Sequence, residues 1–286
     1  MKKIVLLLAW IPMLTQAGVR HYNASIESSD WKLQDSSRLQ CTLKHPISGY
    51  GDALFTSYSG KQLNMEFELD MMSLPDTYSV AAVYSVPPRW MPGAMQRPIA
   101  QMTVRKQYDG DLPKQAAWTM LSELEKGYWP TIYYQDWYNS YDKVAVGLNA
   151  SNFMPVYKQF VECVSNLLPF SFDDIAYTVL NYKKNSSDLT KQSKRKLEMI
   201  GQYLQEDTNM ELVLLDAYTD SYGGKSTNYQ LSVNRADTIK TFFTDNGVDA
   251  SRIEITGHGE RRHIADNTTE LSRAKNRRVV IRMDKP

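Results

Sequence analysis

An apolar run at residues 212–215 leads into a polar loop carrying Gly223-Gly224. A helical stripe follows and ends at Asn246-Gly247. No other stretch restricts the fold of this chain as tightly. The apolar run reads as a buried strand, and Asp220 stands at its mouth. The helix predicted from Ser226 onward carries Leu231, Arg235 and Ile239 at four-residue spacing, and Phe242 continues the stripe. Arg235 is therefore a cation on an apolar face, where a lone desolvated charge is costly. Asp220 is placed to be its partner. The pair is then either a structural link pinning helix to strand or one half of a binding site in the crevice beyond the strand ends.

The pattern around the pair is dense. Thr219-Asp220, Gly223, Asn228, Leu231-Ser232 and Arg235-Ala236 are followed by Gly257-His258-Gly259-Glu260, Asn267, Arg273-Ala274 and Asn276-Arg277-Arg278-Val279. In order and spacing this resembles the OmpA-like peptidoglycan-binding family. The resemblance implies that Asp220 and Arg235 grip the two ends of diaminopimelate in the cell-wall peptide. The chemistry is coherent, because an acid and a forked guanidinium complement an ammonium and a carboxylate. It also places Asn185, Asn228 and Arg278 near the ligand. Read locally, Asn228 is a helix cap and Arg278 packs at a strand edge. The loop at 182–189 departs from the family form, with Tyr182 for Phe and Lys183-Lys184 where an acid is common.

The surrounding segments agree. Residues 175–182 read as a strand, and Thr190 caps a helix whose inward face carries Leu197, Ile200 and Leu204. Strands are predicted at 211–218, 252–256 and 278–283, with a short helix near Thr268. The expected order is β-α-β-α-β-α-β, an α+β domain over residues 165–286. His258 and His263 read as loop residues, without the Cys, His or acidic neighbours of a metal site.

Residues 1–17 read as a secretory signal. Lys2-Lys3 is the charged start, residues 4–14 the apolar stretch and Ala17 the cleavage position. The alternative, an uncleaved anchor, is short for a membrane span. The sequence carries 33 basic and 32 acidic residues, a balance that gives no electrostatic case for nucleic acid. In an oxidising periplasm its two cysteines, Cys41 and Cys163, are expected to pair; the alternative is a pair of free buried thiols. Closing so long a loop contributes on the order of 3–5 kcal/mol in the chain-entropy model.

Residues 18–164 read differently. Alternating and β-branched runs at 39–43, 63–69, 78–86, 99–107, 118–124, 131–138 and 143–148 predict strands. Pro87-Pro88, Pro92-Gly93, Asp109-Gly110 and Lys126-Gly127 punctuate them. The expectation is an antiparallel all-β domain, a sandwich or rolled sheet, closed by a helix at 153–168. A membrane barrel is the alternative. Charges on both faces of short segments such as 65–70 argue against it. The aromatic cluster at 128–138 is either a partner surface or ordinary cross-strand packing.

Taken together, the leader, the β region bounded by Cys41 and Cys163, and the OmpA-like end resemble the MotY family of sodium-driven flagellar motor components. That resemblance implies a periplasmic ring around the flagellar basal body. Residues 18–164 would bind the basal body and MotX and help recruit the PomA/PomB stator, while residues 165–286 hold the wall. The alternative is a general tether of outer membrane to peptidoglycan. Neither implies a cofactor, and no nucleophile or metal pattern points to a wall-cleaving enzyme.

Overall fold

The computed structural model describes residues 18–183, 186–207 and 212–285, with the side chain of Leu212 excepted. The expected signal at 1–17 and Asn185 lie outside the described residues. Two compact units are present. Among the described residues the first comprises 18–34, 42–56 and 65–160, and the second takes the rest, including 35–41 and 57–64.

The elements of the N-terminal region are β1 (Val19–Asn23), β2 (Lys32–Ser36), β3 (Gln40–Ile47), β4 (Gly51–Tyr58), β5 (Glu66–Met71), β6 (Ser79–Val86), β7 (Arg97–Val104), β8 (Gly110–Leu112), α1 (Lys114–Glu125), β9 (Trp129–Gln135), β10 (Lys143–Gly147) and α2 (Phe153–Ser165). One sheet has the order β1-β10-β9-β6-β7 and the other β2-β3-β4-β5-β8. The pairings β10/β9, β9/β6, β6/β7, β4/β5 and β5/β8 are antiparallel; β1 joins β10 in parallel. Alternation drives the strands. In β5, Phe67, Leu69 and Met71 are buried while Glu66, Glu68 and Asp70 face out. Trp31 stacks on His45 with ring centroids 4.3 Å apart and meets Phe153 edge-on at 4.9 Å. Within the aromatic cluster, Ile132 and Tyr134 are core residues, and Tyr134 stacks on Trp137 at 4.7 Å.

The strand expected at 118–124 is instead α1. Ala116, Ala117, Met120, Leu121 and Leu124 are buried, a spacing of three and four that lines one helix face. Pro113 stands at the N-cap, where its missing N–H costs nothing.

The second unit contains β11 (Tyr177–Asn181), α3 (Lys191–Glu206), β12 (Leu212–Tyr218), α4 (Lys225–Asp245), β13 (Ile253–Gly259), α5 (Glu270–Asn276) and β14 (Arg278–Asp284). The order is the expected β-α-β-α-β-α-β. Its sheet runs β11-β14-β12-β13, with β14 antiparallel to both neighbours and β12 parallel to β13. The parallel pair requires a crossover, which α4 supplies. Thr190 caps α3, its side chain accepting from Ser193 N, and Leu197, Ile200 and Leu204 are buried as predicted. α4 closes at Asn246, and Gly247 takes φ 88° to turn the chain. The core gathers Leu180, Ile200, Val213, Leu215, Ile239, Phe243 and Ile281, among others.

Cys41 and Cys163 form a disulfide, and both residues count with the second unit. Two backbone contacts lie within the same unit: Leu168 N donates to Arg38 O at 2.8 Å, and Gly60 N to Leu168 O at 3.0 Å. Lys61 adds an ion pair with Asp174.

Candidate functional site

Asp220 follows β12 by two residues and Arg235 lies on the buried face of α4, so the strand-loop-helix unit delivers both to one place. They line a pocket of about 510 Å³ together with Thr219, Asn228, Glu270 and Arg277. Arg235 is 4% exposed and Asp220 9%.

The expected Asp220–Arg235 contact is not how the carboxylate is held. Asp220 Oδ2 accepts from Arg277 Nη1 at 2.8 Å, and Oδ1 accepts from Tyr222 N at 3.2 Å. Arg277 emerges from the end of α5 and also donates from Nη2 to Glu270 Oε1 at 2.6 Å. One guanidinium thus bridges two carboxylates of the pocket wall. Arg273 adds a second cation, Nη2 to Glu270 Oε2 at 3.3 Å. Sequence reasoning gave none of these three a role in the site; residues 270, 273 and 277 fall on one face of a helix turn, and that spacing is the signal that points to them.

Arg235 is held from the other side. Its guanidinium lies over the Tyr182 ring at 4.2 Å, and Nη2 donates to Ser186 O at 3.1 Å. Among the described residues, Nε and Nη1 of Arg235 have no hydrogen-bond partner, and neither does Thr219 Oγ1. A buried donor left unsatisfied costs about 1–3 kcal/mol, more for a charged group, so an acceptor entering the pocket would be stabilised there. These unpaired N–H groups are charged donors of the kind a carboxylate accepts from.

Burial lowers the Arg235 pKa from its ordinary value, opposed by Tyr182 and the negative charge of Asp220. Burial also acts against the Arg277 cation, but the hydrogen bonds to Asp220 and Glu270 prevail and raise its pKa. Burial pushes the Tyr182 hydroxyl up to about 12, so this ring stays neutral beneath Arg235.

Comparison with known proteins places this geometry. Residues 22–169 match the family model of the MotY N-terminal domain, and residues 181–277 match the OmpA family. The chain is 42% identical over 263 residues to the sodium-type flagellar protein MotY of Vibrio parahaemolyticus, covering 92% of this chain and 89% of that protein. The chain belongs to the MotY family. Its C-terminal part is an OmpA-like domain of the peptidoglycan-binding type, as the ordered motifs implied. The peptidoglycan-associated lipoprotein of Pseudomonas putida is 32% identical over 107 residues, covering 37% of this chain and 63% of that one. Among solved structures, the peptidoglycan-associated lipoprotein from Burkholderia pseudomallei aligns at 24% identity with a TM-score of 0.35, over 37% of this chain and 89% of that one.

Within this MotY-family chain the remaining sequence-predicted residues separate. Asn228 lines the pocket but does not cap α4: the cap is Gly224, and Asn228 Nδ2 donates to Glu260 Oε2 at 3.1 Å. Arg278 opens β14, an interior strand rather than an edge. Its guanidinium stacks over Tyr218 at 3.9 Å and donates to Arg262 O at 3.1 Å, and the residue is not among those lining the pocket. Asn185 falls outside the described residues. His258, expected in a loop, lies in β13, where Nε2 meets Asp216 Oδ1 at 2.7 Å and the ring stacks on Tyr218. His263 does lie in a loop, beside Asn267 at 2.8 Å.

Proposed function

We propose that this chain is a non-catalytic component of a sodium-driven flagellar motor that holds to peptidoglycan through the pocket between β12, α4 and α5. The observation that carries the reading is Arg235, buried in the wall of the pocket it shares with Asp220, with Nε and Nη1 unpartnered among the described residues. The free amino-acid centre of diaminopimelate offers the complementary carboxylate and ammonium. Arg235 takes the carboxylate and Asp220 the ammonium. Asn228 fixes the pocket wall through Glu260. Arg278 acts one step away, through Tyr218, and Asn185, outside the described residues, is the remaining ligand-side position.

In this reading residues 1–17 direct export to the periplasm, residues 18–164 bind partners and residues 165–286 hold the wall. The partners are the flagellar basal body, around which the protein forms a ring, MotX, and the PomA/PomB stator. A motor that delivers torque must react against something rigid, and the wall is the available support. Weak wall sites repeated around a ring act together, because each bound copy raises the effective concentration of the next.

The test is sedimentation of the full chain with purified sacculi. The unaltered protein pellets with them, and Asp220→Ala and Arg235→Ala remain in the supernatant with unchanged circular dichroism. Pelleting of both variants at the unaltered level overturns the site. A clean deletion in the source organism checks the motor role: filaments that form but do not rotate support it, and normal swimming removes it.

A further inference from the structure

The connection between β6 and β7 carries a feature the wall-binding reading does not use. Residues 87–96 form a tight tip in which Met91 N donates to Pro88 O at 2.9 Å and Gly93 adopts φ 89°. At this tip Trp90 is 55% exposed and Met95 83%. Trp90 is not loose, since its ring meets Trp129 edge-on with centroids 5.9 Å apart. From Trp90 to Met95 the tip reads Trp-Met-Pro-Gly-Ala-Met and, apart from the indole N–H, holds no polar side chain.

Along the chain that passes through the tip, charge has one sign. From residue 79 to residue 108 the chain contains Arg89, Arg97, Arg105 and Lys106 and neither Asp nor Glu. At the base of the tip, Arg97 Nη2 and Lys126 Nζ both reach Glu123, at 2.7 and 2.8 Å. The Glu123 side chain is 8% exposed, whereas those of Arg97 and Lys126 are 54% and 56% exposed. The carboxylate is therefore turned inward and the cations face solvent, with the exposed Arg89 beside Trp90.

A rigid indole, two methionines and a cationic collar match the requirements of a membrane interface. Tryptophan settles at headgroup depth, thioether chains enter the acyl boundary, and arginines meet lipid phosphates. Between Trp90 and Met95 the side chains are apolar apart from the indole N–H, and the flanking donor Arg89 carries the positive charge that an anionic headgroup accepts. We infer that the β6–β7 tip docks on an anionic phospholipid surface, Trp90 and Met95 entering the interface and Arg89, Arg97 and Lys126 contacting headgroups. The inference stands apart from wall binding, which uses the other unit.

The test is flotation of the full chain with vesicles of phosphatidylcholine alone and of an equal mixture of phosphatidylcholine and phosphatidylglycerol, at low and high salt. The chain floats with the mixed vesicles and loses this as salt rises. Arg89→Gln lowers binding about fivefold, the factor for one charge near an anionic surface. Trp90→Ser combined with Met95→Ser removes flotation while leaving sacculus sedimentation unchanged, and Met95→Ser alone, at a side chain 83% exposed, weakens flotation with thermal unfolding unchanged. Flotation of the double variant at the unaltered level, flotation indifferent to phosphatidylglycerol, or no flotation at low salt overturns the proposal. Retention on immobilised polyglutamate without flotation overturns it in favour of an acidic protein partner.

Discussion

Arg277 holds Asp220 by an ion pair of 2.8 Å in which the two side chains are only 8% and 13% exposed. The carboxylate at the centre of the candidate site is thus oriented by the residue that caps the end of α5, which is itself shared with Glu270. Removing that guanidinium leaves the buried Asp220 carboxylate without its ion-pair partner.

Arg277→Met is expected to destabilise the chain by about 3 kcal/mol, because breaking one partner of a buried pair strands the other. Chemical denaturation reads this directly. The same variant is expected to lose sacculus binding under conditions where it remains folded, since Asp220 then has no fixed direction. Full stability together with full binding contradicts the bridge.

Gly257→Ala tests the contact between α4 and β13. A Cβ there would stand 2.5 Å from Val233 Cγ2 and 2.9 Å from the Val233 backbone nitrogen. The helix must move away, at a cost of about 1–3 kcal/mol as for other overpacked sites. Because α4 carries Arg235, thermal unfolding and sacculus binding are expected to fall together.

The disulfide predicts a chemical result. Native chain should release no thiol to Ellman's reagent until reduced, with Cys41 and Cys163 then both reacting. Replacing both by serine is expected to cost on the order of 3–5 kcal/mol, because the bridge closes a separation of 122 residues. Unchanged denaturation of the serine variant excludes that contribution.

Glu123 predicts an acid limb. Its burial favours the neutral acid, but hydrogen bonds from Lys126 and Ser85 and the charge of Arg97 outweigh this and hold its pKa below the usual value. A carboxylate with a lowered folded pKa contributes stability that is complete above its unfolded value, about 4.3, and is lost as pH falls through the lower folded value. Melting temperature followed downward from neutral pH should drop in that window, and Glu123→Gln should flatten the drop. An identical acid limb in the variant removes Glu123 as its source.

The sequence exposed some of this and hid the rest for physical reasons. α4 was legible because its apolar spacing ends at a glycine stop, and Thr190 because its hydroxyl caps the helix that follows. α1 was not legible, since Trp118 and Thr119 favour strands and its inward face begins with the small Ala116 and Ala117. β1 escaped because most of it is exposed and carries no apolar alternation. Asp220 and Arg235 were found as a pair, but the true partner of Asp220 lies 57 residues away on another element, a relation local spacing does not encode. The disulfide was legible by counting cysteines. Its membership of the second unit was not, because sequence order suggested a seam between residues 164 and 165.

That membership bears on how such a protein can be recombined. Residues 35–41 and 57–64 belong to the second unit although they are encoded far upstream of it. A chimera joined at residue 165 would give its new terminal domain a docking strip evolved for a different guest, and would leave the donor domain without the strip it came with. Exchange between relatives that respects the gene's linear order therefore divides a folded unit, and successful hybrids should be those that carry the upstream strip along with the domain it serves.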